Sequence, residues 1–168
     1  MSAQPHSLAK DAPNEIRFHS QTGRSRWEIA IHTVIRAEPS RLFHALTLPE
    51  YREAWFCPPE TGQAYSVTAS QQDLRYSIHV ARREAGAMFI SGSYLMLKQN
   101  ELAFTWRKDE AARGPDTMVE IRLHNNAGRS GLRLYHKGFT SKAEGLWHQR
   151  MWSVSLGRLA RLLETRLT

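Results

Sequence analysis

The sequence predicts an α+β domain in which a curved antiparallel sheet wraps a long C-terminal helix, with two short helices after the first strand. Two observations carry this reading. The middle of the chain is a succession of segments alternating apolar and polar residues, joined by turns too short for a crossover. The C-terminal segment instead carries apolar residues at helical spacing and offers the sheet its one long partner. A small apolar cavity between sheet and helix is expected.

Residues 1–26 hold Pro5, Pro13 and Gly23, many polar residues and no sustained apolar period, so a flexible N-terminal arm is expected there and the domain itself over 27–168. From Trp27 to Ala37, Trp27, Ile29, Ile31 and Ile35 share one face and Glu28, His32 and Arg36 the other, which predicts a half-buried strand. Glu38-Pro39-Ser40 breaks it and opens a short helix carrying Leu42, Phe43, Ala45 and Leu46. A second short helix follows Pro49 and ends at Trp55-Phe56-Cys57-Pro58-Pro59, where the prolines forbid continuation.

Strands are then expected over 64–69, 74–81, 87–97, 102–107, 117–124 and 131–137. Glu84-Ala85-Gly86, Gln99-Asn100, Gly114-Pro115-Asp116 and Asn125-Asn126-Ala127-Gly128 supply turn chemistry between them. Leu74, Tyr76, Ile78 and Val80 share one face, as do Leu102, Phe104 and Trp106, and Val119, Ile121 and Leu123. Only Met88 to Leu97 carries apolar residues on both faces. A helix closes the chain from about Lys142 to Arg166, with Trp152, Leu156, Leu159 and Leu163 forming its buried stripe.

Composition excludes several classes. At 168 residues the chain can bury a full core without a staple. Cys57 has no cysteine to pair with, and the first residues are polar rather than signal-like, so a cytoplasmic location is expected. No apolar run approaches the ~20 residues of a membrane helix, so no membrane insertion is expected. The formal charge is +7, but no basic run exceeds Arg82-Arg83, and specific nucleic-acid binding is not expected. The eight histidines lack the close spacing of a metal site, so neither metal nor other cofactor is expected.

The element order, with particular words inside it, resembles the START-like superfamily of helix-grip proteins, and within it the family named for the activator of Hsp90 ATPase. The words are the approach from Ile35 to Pro39, Ala45-Leu46-Thr47 with Pro49, Trp55 ahead of Pro58, and Leu102-Ala103-Phe104-Thr105-Trp106. Leu132-Arg133-Leu134-Tyr135-His136 with Gly138-Phe139 follows, then Trp152 with Leu156 and Leu159. Cys57 and Met151 stand where the family often has glycine, and a glycine-rich segment is degraded around Gln71 to Arg75. The resemblance implies a helix-grip fold whose cavity, in relatives, holds lipids, polyketides or other hydrophobic molecules. Its members also include cyclases, hydrolase-like enzymes and co-chaperone modules, so fold alone does not settle function.

The alternation turns Tyr76, Phe104, Trp106 and His136 toward the helix, with Trp55 and Phe56 at the short-helix end and Trp152 on the long helix. These are the candidate ligand-binding residues; the same aromatics would equally serve as a solid core. His136 sits where an imidazole can orient a ligand, act as a base, or serve as a satisfied structural residue. No nucleophile signature surrounds Cys57, and no paired carboxylates or phosphate loop occur, so no catalytic residue is assigned. The leading expectation is a protein that binds a small hydrophobic molecule. An interaction module that stimulates a chaperone ATPase is the second, and a cyclase-like or hydrolase-like enzyme using His136 and Tyr76 the third.

Overall fold

The computed structural model describes residues 15–21, 24–58, 61–70, 72–82, 86–108 and 116–165, with strand backbone alone at 15–21, 24–25, 61–70 and 82. Eight strands form one antiparallel sheet: β1 (Glu15–Gln21), β2 (Arg24–Ile35), β3 (Thr61–Ser70), β4 (Arg75–Arg82), β5 (Ala87–Lys98), β6 (Glu101–Lys108), β7 (Thr117–Asn126) and β8 (Arg129–Phe139). Their order across the sheet is β1-β2-β8-β7-β6-β5-β4-β3. Helices α1 (Pro39–Thr47) and α2 (Pro49–Trp55) follow β2, and α3 (Lys142–Thr165) closes the chain. The sheet curves around α3, which lies against β2, β8 and α2. This is the helix-grip architecture expected from the sequence.

One expectation needs correction. The stretch assigned to a flexible arm over 1–26 contains strand β1, paired with β2 from Glu15↔Ala30 to Gln21↔Arg24; residues 1–14 and 22–23 lie outside the described residues. The segment offers only Ile16 and Phe18 as apolar alternation, too little to announce a strand. What forms it is the open edge of β2, whose backbone groups template a neighbour.

Local chemistry sets the other boundaries. Pro39 and Pro49 each occupy a first helical turn, where the missing N–H is no loss. Ala127 and Gly128 both have positive φ, the combination of a tight turn that matches strand twist, and Asn125 Oδ1 accepts from the Gly128 N–H at 3.3 Å. Leu74, expected on the inner face of β4, lies in the turn before it with φ 53° and is exposed. The double-faced apolar pattern of β5 has a geometric cause. Its register against β6 shifts between Tyr94 and Met96, so the alternation changes face there and Leu95, Met96 and Leu97 end up exposed.

The stripe of α3 is buried as its spacing predicts, with Met151, Trp152, Leu156, Leu159 and Leu163 inward and Arg150, Arg161 and Glu164 outward. Leu159 is fully buried within the core cluster. Leu159→Ala is expected to lower unfolding free energy by about 2–5 kcal/mol, the usual range for a buried leucine truncation, as read from urea unfolding midpoints.

Candidate functional site

All seven candidate residues converge. Trp55, Phe56, Tyr76, Phe104, Trp106, His136 and Trp152 are each buried, none more than 3% exposed. Phe56, reaching in from the segment after α2, lies 6.0 Å from the Trp106 ring and 6.4 Å from that of Trp152. Tyr76 meets Phe104 edge-on at 5.6 Å, and Trp106 lies 5.3 Å from Trp152. Edge-on and tilted arrangements of this kind are the favoured aromatic geometries.

Among the described residues, these rings close the space between them. What remains is a gap of about 10 Å³ walled by Leu46, Arg52, Trp55, Phe56, Ile78, Phe104, Trp106, Ile121 and Trp152, room for about one water molecule. The aromatic rings that could line a pocket interdigitate across it instead.

A buried polar network runs beside the gap, and its proton positions follow from donor chemistry. An indole N–H can only donate. Trp152 Nε1 donates to His136 Nδ1 at 3.1 Å, so the His136 proton is on Nε2, which donates to Thr117 Oγ1 at 2.7 Å; that hydroxyl donates onward to the Trp106 carbonyl at 3.0 Å. Trp106 Nε1 likewise donates to His148 Nε2 at 3.2 Å, so His148 carries its proton on Nδ1 and donates to the Glu144 carbonyl at 2.8 Å. Both imidazoles must be neutral to accept these bonds.

Electrostatics agree. Burial, then the neighbouring His148, hold His136 well below the ordinary histidine range. Burial lowers His148 to about 4, with the bond to the Glu144 carbonyl opposing and Lys108 adding to the fall. Burial raises the Tyr76 phenol well above its ordinary value, with Arg52 opposing, and its hydroxyl donates to the Thr105 carbonyl at 2.6 Å. The lone pair of His136 and the proton of Tyr76 are both held by the protein's own groups. Gly92 makes room for the Tyr76 bond, since a Cβ there would come within 1.9 Å of the Thr105 carbonyl oxygen.

Four participants escaped the sequence reading. His148 lies one turn before Trp152 on the stripe of α3, so its spacing was a usable signal. Arg52 stands three residues before Trp55 on α2, and Tyr94 alternates with Met88 and Ile90 on β5. Thr117, a small polar residue at a strand start, gave no signal. Arg52 Nη2 donates to the Leu46 carbonyl at 2.5 Å and to Tyr94 Oη at 3.0 Å, and Trp55 Nε1 donates to the Ala45 carbonyl at 2.8 Å. Together they satisfy carbonyls of the last turn of α1, which have no partner within their own helix. Cys57 is half-buried, its backbone bonded to Ser155 Oγ. Among the described residues, no group of three or more His, Cys, Asp or Glu is placed to hold a metal ion. No helix there is long and apolar enough to cross a membrane.

The curved sheet closed around one long helix, with two short helices capping the aromatic end, defines a protein of the START-like helix-grip class. Residues 36–164 match the family model described as activator of Hsp90 ATPase homolog 1-like protein, and the chain belongs to that family. Protein CV1439 from Chromobacterium violaceum is similar in structure, with 23% sequence identity, TM-score 0.73, and coverage of 82% of this chain and 96% of that one. The AHSA1 protein from Silicibacter pomeroyi is 22% identical, with TM-score 0.67 and coverage of 83% and 99%. CalU16 from Micromonospora echinospora is 18% identical, with TM-score 0.63 and coverage of 92% and 87%. A search of curated proteins finds no match.

The histidine network makes stability pH-dependent with a definite sign. Both histidines are depressed in the fold, whereas an unfolded histidine titrates near ~6.5. Stability is therefore full above that value and is lost as pH falls toward about 4, where His148 protonates, with the depressed His136 contributing a loss of the same sign. Urea unfolding between neutral pH and mildly acid pH should show the loss, each histidine contributing a slope of up to about 1.4 kcal/mol per pH unit. In His148→Gln, where the amide oxygen can still accept from Trp106, the slope due to the pair should fall by about half.

Proposed function

We propose that this protein binds a small hydrophobic molecule between the sheet, α2 and α3. The observation that carries the reading is that five of the candidate side chains, Trp55, Phe56, Phe104, Trp106 and Trp152, wall one gap whose polar wall is Arg52, with the Tyr76–Tyr94 pair packed beside that guanidinium. Apolar and aromatic walls with a few placed polar groups are the ordinary composition of a ligand site. A gap of about 10 Å³ admits no organic ligand, so binding requires an opened conformation. The wall best placed to move is α2 with Phe56, a seven-residue helix bounded by Pro49 and Pro58. Opening reduces apparent affinity by the fraction of molecules that are open.

A second reading is favoured by the filled gap itself: an interaction module, in line with the activity for which the family is named, needs a partner surface rather than a cavity. On the outer face of the sheet Arg122 and Arg133 stand opposite each other in register and both are exposed. Such a surface suits an acidic partner, and the association would weaken with salt.

Native mass spectrometry of gently purified protein, before and after incubation with a hydrophobic-compound library, decides between them. A reproducible one-to-one adduct is expected. Its affinity should fall at least about tenfold in Ile121→Phe, which extends a ring into the gap, while the variant remains folded. Unchanged affinity in the folded variant would sink the placement. A persistently clean mass, with salt-sensitive recovery of a chaperone, would instead establish the interaction module.

A further inference from the structure

The geometry points to a more specific ligand: we propose that the gap beside α2 receives a hydrophobic acid whose carboxylate pairs with the Arg52 guanidinium. This rests on the ligand-binding reading above. Arg52 is 5% exposed and lines the gap. Among the described residues no Asp or Glu forms an ion pair with it, and its hydrogen bonds all leave from Nη2, to the Leu46 carbonyl and Tyr94 Oη. Its Nε and Nη1 donate to nothing there. A buried, uncompensated charge is strongly unfavourable, and folded proteins normally pair it.

Capping of α1 does not explain the charge. The adjacent Ala45 carbonyl is capped by the neutral Trp55 indole, so a neutral donor suffices for that task. The guanidinium also lies over the Tyr76 ring, 5.3 Å from its centroid. Tyr76 cannot supply the missing anion, because burial holds its phenol protonated and its hydroxyl is bonded to the Thr105 carbonyl. The remaining walls, including Leu46, Phe56, Ile78 and Phe104, are hydrocarbon or aromatic. One cation at one end and apolar surface elsewhere is complementary to an amphiphilic carboxylate, which can accept a charge-assisted hydrogen bond from the free Nη1.

Matched ligands of equal carbon skeleton test this by isothermal titration: octanoate against 1-octanol, and 4-phenylbutyrate against 4-phenylbutanol, at neutral pH. Wild type should bind at least one acid about tenfold or more tighter than its alcohol. Arg52→Met should weaken that acid at least about tenfold and leave the alcohol within about threefold. Should loss of the cap unfold that variant, Arg52→Lys keeps the charge but has one nitrogen to serve both the Leu46 carbonyl and the ligand, and is expected to lose most of the preference. Equal binding of acid and alcohol by wild type overturns the carboxylate assignment and leaves the hydrophobic site standing. Binding of neither member of either pair by wild type overturns the carboxylate assignment together with the reading on which it rests.

Discussion

Trp106 and Trp152 each aim an indole N–H at a histidine ring, and the docking of α3 onto the sheet depends on those two bonds. Trp106 comes from β6 and His148 from α3; Trp152 comes from α3 and His136 from β8. The bonds therefore cross the helix–sheet interface in opposite senses. Apolar burial alone would let the helix slide or rotate within its groove, since the hydrophobic effect has no direction. Two buried donors that must each find an acceptor allow far fewer positions, because an unmade bond in this environment leaves its group desolvated and unsatisfied. Among the described residues, every fully enclosed side-chain nitrogen or oxygen has a partner; Arg52 Nε and Nη1, which have none, are not fully enclosed.

The same bonds decide what the histidines can do. An imidazole that accepts from an indole presents no free lone pair on that nitrogen, and the other nitrogen of each ring is spent on Thr117 or on the Glu144 carbonyl. An acid–base role for His136 with Tyr76 would require both to abandon buried partners. Among the described residues, this interior holds neutral groups locked by one another and a single buried cation at the edge of the aromatic cluster.

That cation has a clear part in the fold. Arg52 and Trp55, on one face of α2, complete the open end of α1, so the short helices hold each other in place while α3 packs against α2 as well. The arrangement puts a guanidinium beside Tyr76 and Tyr94 with no acidic partner among the described residues. It also makes the segment from α2 to Pro58 the lid of the aromatic cluster, joined to α3 through the Cys57 backbone and Ser155.

The sequence by itself determined the element order, the antiparallel connections and the inward faces, because turn residues and periods of two or of three to four act locally and survive in a linear reading. Tyr76, Phe104, Trp106, His136 and Trp152 could be placed on the inner side for that reason, and the words around them carried the family. Tertiary structure alone decided three things. It made a strand of Glu15–Gln21, whose partner is a sheet edge rather than a local pattern. Among the described residues it left only a gap of about 10 Å³ between the candidate aromatic rings, because whether such rings line a space or fill it depends on the separation of sheet and helix. And it joined Arg52 to Tyr94 and His148 to Trp106, pairs 42 residues apart, whose meeting is set by how α2, α3 and the curved sheet pack and by nothing in the intervening chain.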